Sequence, residues 1–139
     1  MSDTKIHSDP DGTTVEVPHD AAIGDRVHIG LGAIIGSGCV FSNDVRIFGA
    51  CIIGNDVNLG PKVILGERIE IGSHVKISVN TIIDRRVYIG RDTQIGRNVV
   101  VGSSVRIGSG CYIPEYWVIG NDKIVNPGNQ QNGYLPQIH

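Results

Sequence analysis

Residues Ile53–Ser78 read IGNDVNLGPKVILGERIEIGSHVKIS. An aliphatic stands at every sixth position of this stretch: Ile53, Leu59, Leu65, Ile71 and Ile77. Followed outward in both directions, the phase holds without a slip from Val17 to Val125, a run of 19 positions in which Phe41 is the one aromatic. Glycine follows directly at 12 of them, as in Ile23-Gly24 and Ile107-Gly108, so the repeat is more than apolar alternation. Two residues before the aliphatic there is usually a small or branched residue: Ala21, Val27, Cys39, Val45, Cys51, Val57. A fixed short period means stacked repeats rather than an ordinary globular core.

The hexad dictates a geometry. Its branched residue and its aliphatic are two apart, so both point to one side of a short strand and the residue between them points out. The glycine is expected to turn the corner, because it tolerates positive φ. Three hexads close a triangular coil of 18 residues, and successive coils pair in parallel. One expected core column is Ile23, Phe41, Leu59, Ile77, Ile95, Ile113; another begins at Val17 and runs through Ile35 and Ile53 to Val125. Trp117 and Lys123 fall at the inward small position and mark the end of the coil stack. The expected organisation is an N-terminal arm over 1–16, loose or partly capping, then a repeat domain over 17–125 and a tail over 126–139.

The 139 residues suffice for one domain. A net charge of −2 with mixed signs offers no field for nucleic acid. No apolar run approaches a membrane span, and the polar start MSDTKIHSDPDG does not read as a signal peptide. Cys39, Cys51 and Cys111 all take the inward small position. Cys39 and Cys111 are four coils apart, roughly 19 Å at ~4.8 Å per coil, too far to bond. Free buried thiols point to the cytoplasm.

The ladder resembles the hexapeptide-repeat superfamily, whose fold is a left-handed parallel β-helix, usually trimeric and usually an acyltransferase. The resemblance implies an all-β chain of about six triangular coils with no inserted loop. Within it, HDAAIGDRVHIGLGA (His19–Ala33) is similar to the site region of sugar acetyltransferases of the sialic-acid and bacillosamine type. These carry a His-acid pair, an Ile-Gly, and a second histidine nine residues after the first; here the residues are His19, Asp20, Ile23-Gly24 and His28. The resemblance implies that His19 is a general base acting on an acetyl-CoA thioester, with Asp20 steadying its ring. His28 is read as a packing or hydrogen-bonding residue. His74 is the second candidate, because the coil spacing sets it between Asp56 and Asp92. His7 and His139 are read as solvated. The H-x4-H spacing of the related zinc carbonic anhydrases is absent, so no metal is expected.

One outward column reads His28, Arg46, Ile64, Ile82, Val100, Val118. Four aliphatics in succession on an exposed sheet mark an interface, and with the resemblance they imply a homotrimer, with Ile34 and Ile52 as a possible extension. The leading expectation is a cytoplasmic, acetyl-CoA-dependent acyltransferase acting on a hydroxyl or amine of a sugar or similar small acceptor, without nucleic-acid or membrane partners. The alternative is a non-catalytic β-helix used as a scaffold or assembly module.

Overall fold

The computed structural model describes residues 3–127. The chain opens with an antiparallel hairpin of β1 (Thr4–Ser8) and β2 (Thr14–Pro18), in register from Thr4↔Pro18 to Ser8↔Thr14. From β3 (Ala22–Ile23) to β20 (Ile124–Val125), two-residue strands then recur every six residues. They stack into three six-stranded parallel sheets, and there is no helix among the described residues. Partners lie 18 residues apart throughout, as in Ile64↔Ile82 and Leu65↔Ile83. This is the triangular solenoid that the hexads dictate.

The sheet that carries the candidate site runs β4 (His28–Ile29), β7 (Arg46–Ile47), β10 (Ile64–Leu65), β13 (Ile82–Ile83), β16 (Val100–Val101), β19 (Val118–Ile119). In each strand the second residue is buried and the first faces out. The inward aliphatics and branched residues make one continuous core from Val17 to Val125. Each such side chain stabilises the fold by roughly 1.5–3 kcal/mol on burial.

The inward small position also carries a polar ladder. Thr81 Oγ1 donates to Gly96 O at 2.7 Å and Thr93 Oγ1 to Gly108 O at 3.0 Å. Cys39 Sγ and Cys51 Sγ reach Gly54 O and Gly66 O at 3.2 and 3.1 Å. In all four the acceptor lies fifteen residues on, so a small donor at this position satisfies a corner carbonyl of the next coil. All three cysteines are free and buried.

Two expectations about local geometry are corrected. The glycine after each aliphatic is not the corner's left-handed residue. That residue comes two positions later and is mostly not glycine: Arg26, Asp44, Asp56 and His74 have φ of 56°, 63°, 57° and 61°. The glycine is needed for space instead. A Cβ on Gly72 would lie 2.6 Å from the Arg91 amide nitrogen and 2.9 Å from Arg91 Cα, on the next coil. Coils stacked at strand spacing leave no room for a side chain there.

The second correction concerns the start of the ladder. Val17 is fully buried, as its phase requires, but it belongs to the antiparallel hairpin rather than to a parallel rung. The first parallel strand is β3. The leading segment is no loose arm: it is paired, and Val15 packs against the core. At the other end Trp117 is buried as part of the core, while Lys123 at the equivalent position is exposed. Residues 128–139 of the expected tail, His139 included, lie outside the described residues.

Candidate functional site

The hairpin folds back onto the edge of the first coil and carries a carboxylate with it. Asp9 stands just after β1, in the turn SDPDGT (Ser8–Thr13). Its N–H donates to Thr13 O at 2.7 Å, and Gly12 N–H donates to Asp9 O at 2.9 Å. The Asp9 side chain is fully enclosed. Its Oδ1 accepts from the Ile29 amide at 3.0 Å and lies 3.0 Å from His7 Nε2. Its Oδ2 lies 2.6 Å from His28 Nδ1, an ion-pair distance whose alignment falls short of a good hydrogen bond. His7 Nε2 also meets Val27 O at 2.9 Å.

His28 is the member of this cluster that reaches solvent. Its side chain is 32% exposed against 13% for His7. It lines an open cleft of about 470 Å³ together with Pro10, Asp11, Arg26, Asp44, Arg46 and Phe48. The rim is charged. The Thr13 amide, 2.9 Å from Asp11 Oδ1, holds the Asp11 carboxyl below the ordinary carboxylate range. Arg26 grips Asp44 with Nε–Oδ1 at 2.7 Å and Nη2–Oδ2 at 3.1 Å, which lowers the Asp44 pKa and raises that of Arg26. The cleft therefore presents one imidazole between groups that stay ionised at neutral pH.

Above the cleft the same sheet face turns apolar. Ile64, Ile82, Val100 and Val118 line a shallow groove of about 670 Å³, and Phe48 borders both depressions. Ile82 and Val100 are 44% and 42% exposed, so the stripe is an uncovered aliphatic surface on this chain. Ile34 and Ile52 are also exposed but lie in the neighbouring sheet, paired with each other.

The residues singled out from the sequence are distributed differently. His19 is exposed at the end of the hairpin, where its backbone N–H donates to Asp3 O. Asp20 Oδ1 accepts from the Gly38 amide at 3.1 Å. Among the described residues no hydrogen bond or ion pair joins His19 to Asp20. His74 sits at an exposed corner, 3.8 Å from Asp56 Oδ2, whereas Asp92 is held by its own neighbour Arg91 at 3.2 Å. His7, expected to be solvated, is instead mostly covered and hydrogen-bonded to Val27 O. The repeat does not pair His7 and Asp9 with His28, because Asp9 lies 19 positions before His28 on a segment outside the hexad ladder. The signal that was available is the DPDG turn between two alternating segments, TKIHS and TTVEVP, which reads as a hairpin.

Asp9, Asp11 and His28 also form the one group of metal-type donors that converges among the described residues, with all donor atoms within 4.8 Å. Donor atoms around one tetrahedral zinc stand roughly 3.3 Å apart. The 2.6 Å approach of His28 Nδ1 to Asp9 Oδ2 is closer than that spacing and is an ion-pair contact instead.

Comparison with known proteins agrees with this architecture. The family described as bacterial transferase hexapeptide (six repeats) matches residues 86–121. A mutant of perosamine N-acetyltransferase from Caulobacter crescentus, in complex with CoA and GDP-perosamine, superimposes with a TM-score of 0.76 over 79% of this chain and 51% of that one, at 16% identity. The chain has the fold of a parallel β-helix built on hexapeptide repeats, and the family match covers residues 86–121 of it. Two further solved structures share its solenoid at 18% identity. WeeI from Acinetobacter baumannii AYE has a TM-score of 0.67, covering 75% of this chain and 53% of its own. The AntD N-acyltransferase from Bacillus cereus, in complex with dTDP-4-amino-4,6-dideoxyglucose and Coenzyme A, has a TM-score of 0.65, covering 74% and 73%. At these identities the likeness is one of fold. This hexapeptide-repeat chain spans about half the length of the first two relatives. No curated protein matches the sequence.

Proposed function

We propose that this protein is an acyl-CoA-dependent acyltransferase, acting on an amine or hydroxyl of a small acceptor such as an amino sugar. The carrying observation is His28, an imidazole on the floor of an open cleft with its Nδ1 engaged by an enclosed carboxylate. A neutral ring in that setting suits general-base work near neutral pH. The acceptor O or N attacks the thioester carbonyl carbon while His28 takes its proton. The tetrahedral intermediate then expels the CoA thiolate, which recovers the proton as the C–S bond breaks. The relatives bound to CoA and to nucleotide-linked amino sugars support the same donor and acceptor class. Three buried free thiols agree with a cytoplasmic setting.

The apolar stripe of Ile64, Ile82, Val100 and Val118 is proposed as the contact between three copies of the chain, with the donor lying between neighbours beside the His28 cleft. His28 has more support as the base than His19, whose ring has no polar partner among the described residues. No H-bond or ion pair places His74 firmly either, beyond its long contact to Asp56.

The test uses acetyl-CoA as donor, with GDP-perosamine and dTDP-4-amino-4,6-dideoxyglucose as acceptor probes. His28→Ala should leave acetyl-CoA binding intact and lower turnover by about 10²–10⁴-fold, the range for a lost general base. Full activity in His28→Ala together with loss in His19→Ala would transfer the role to His19. Absence of acetyl-CoA binding to the intact oligomer at about millimolar concentration, weaker than working affinities for substrates, would leave the scaffold reading.

A further inference from the structure

We propose that the N-terminal hairpin is a working part of the site, and that its Asp9, steadied by His7, is a positioning residue that decides which nitrogen of His28 is the base. This deepens the acyltransferase reading and rests on it for its catalytic consequence, though not for its structural one.

The argument is one of donors and acceptors. His7 Nε2 lies within bonding distance of two oxygens, Val27 O at 2.9 Å and Asp9 Oδ1 at 3.0 Å. Neither a carbonyl nor a carboxylate oxygen can donate, so His7 Nε2 must carry hydrogen. Oδ1 also accepts from the Ile29 N–H at 3.0 Å. The Ile29 N–H thus occupies Oδ1, with the Nε2 edge of His7 close beside it, and the pair orients the carboxylate. Oδ2 is left facing His28 Nδ1 at 2.6 Å, inside the fold and away from water. An enclosed carboxylate oxygen must meet a donor, because an unpaired one carries the full desolvation penalty. His28 Nδ1 therefore bears the proton, and the lone pair of the neutral ring belongs to Nε2. Nε2 makes no hydrogen bond among the described residues and is free to accept a proton from an acceptor in the cleft. The tautomer of His28 is set by a residue 19 positions earlier, on an element outside the repeat.

The same logic foretells what an isosteric change does. In Asp9→Asn the amide oxygen goes to the Oδ1 side, where the Ile29 N–H donates and His7 Nε2 lies 3.0 Å away. The amide NH₂ then faces His28 Nδ1, which has to accept, and the ring switches to the Nε2–H tautomer. The base at the cleft is lost without loss of shape. A wrong tautomer of this kind lowers turnover by a factor on the order of 10⁴.

The experiment is ¹⁵N-edited NMR of histidine-labelled full-length protein, at a pH where the rings are neutral. Wild-type protein should show His28 as the Nδ1–H tautomer and His7 as Nε2–H. Asp9→Asn should invert His28, and His7→Gln, which keeps a donor at the same place, should preserve it. A wild-type His28 bearing hydrogen on Nε2 would mean that Oδ2 itself holds the proton, and it would overturn the proposal without any variant having to fold. An unchanged His28 tautomer in folded Asp9→Asn would overturn it equally. Inverted tautomer with no acyl transfer in wild type would leave the positioning intact and remove the acyltransferase reading, so the two failures are separable.

Discussion

Replacing Gly72 by alanine tests the rule that sets coil spacing. Gly72 has ordinary backbone angles, so alanine meets no dihedral penalty there, and on that ground alone should be neutral or slightly stabilising by about 0.4–1 kcal/mol. The space argument says the opposite. The new methyl would stand 2.6 Å from Arg91 N, 2.9 Å from Arg91 Cα and 3.2 Å from Arg91 Cβ. The first two are backbone atoms of the next coil and cannot rotate aside. Forcing the coils apart is overpacking, at about 1–3 kcal/mol. For a chain of this length that corresponds to a fall in Tm of roughly 3–10 °C. The control is Gly110→Ala. Gly110 has φ of 71°, but nothing lies within 4 Å of a Cβ built there. Equivalent corners already hold Arg26, Asp44 and Asp92 at similar angles. Its cost should be about 1 kcal/mol or less once the unfolded-state gain is counted. The assay is thermal unfolding of both variants at one protein concentration, since any oligomer makes Tm concentration-dependent. A Gly72→Ala protein as stable as wild type, beside a crippled Gly110→Ala, would show that positive φ and not inter-coil space dictates the glycines.

Other outcomes follow from the same structure. Lysine at both Ile82 and Val100 would place charges on the apolar stripe, where a buried ion without a partner costs several kcal/mol; sedimentation should then give monomers or unfolded chain, and an unchanged mass would remove the stripe as the subunit contact. The three cysteines should react slowly with a thiol reagent in native protein and fully after denaturation, because they are enclosed and burial pushes each thiol up; fast native labelling of Cys51 would contradict the core phase. A thiol raised in the folded state adds stability that is present at neutral pH and is lost as pH climbs past the ordinary thiol value, above about pH 9. The denaturation midpoint should therefore fall over that range, and fall less in a Cys39→Ala, Cys51→Ala double variant; equal falls would assign the effect to other groups.

The sequence by itself determined the solenoid. Each hexad needs only its own six residues and the copies 18 away to bury its aliphatic, so the pattern that specifies the fold is local and repeated, and it can be read by counting. The same regularity placed the outward stripe from Ile64 to Val118 and the inward cysteines, since phase alone decides which way a strand residue points. Counting fails where the chain stops repeating. Whether Gly72 serves angle or space depends on how near Arg91 comes from the next coil, and that is a property of stacking. Whether His19 and Asp20 meet depends on their surroundings; in the fold Asp20 turns to the Gly38 amide. The cluster of His7, Asp9 and His28 has no period at all. It exists because an antiparallel hairpin folds back against the first edge strand and buries a carboxylate where only two imidazoles and one amide can satisfy it. Long-range polar satisfaction of that kind is decided by tertiary structure, because the partners of a buried charge are chosen by where the chain returns and not by what lies beside it in sequence.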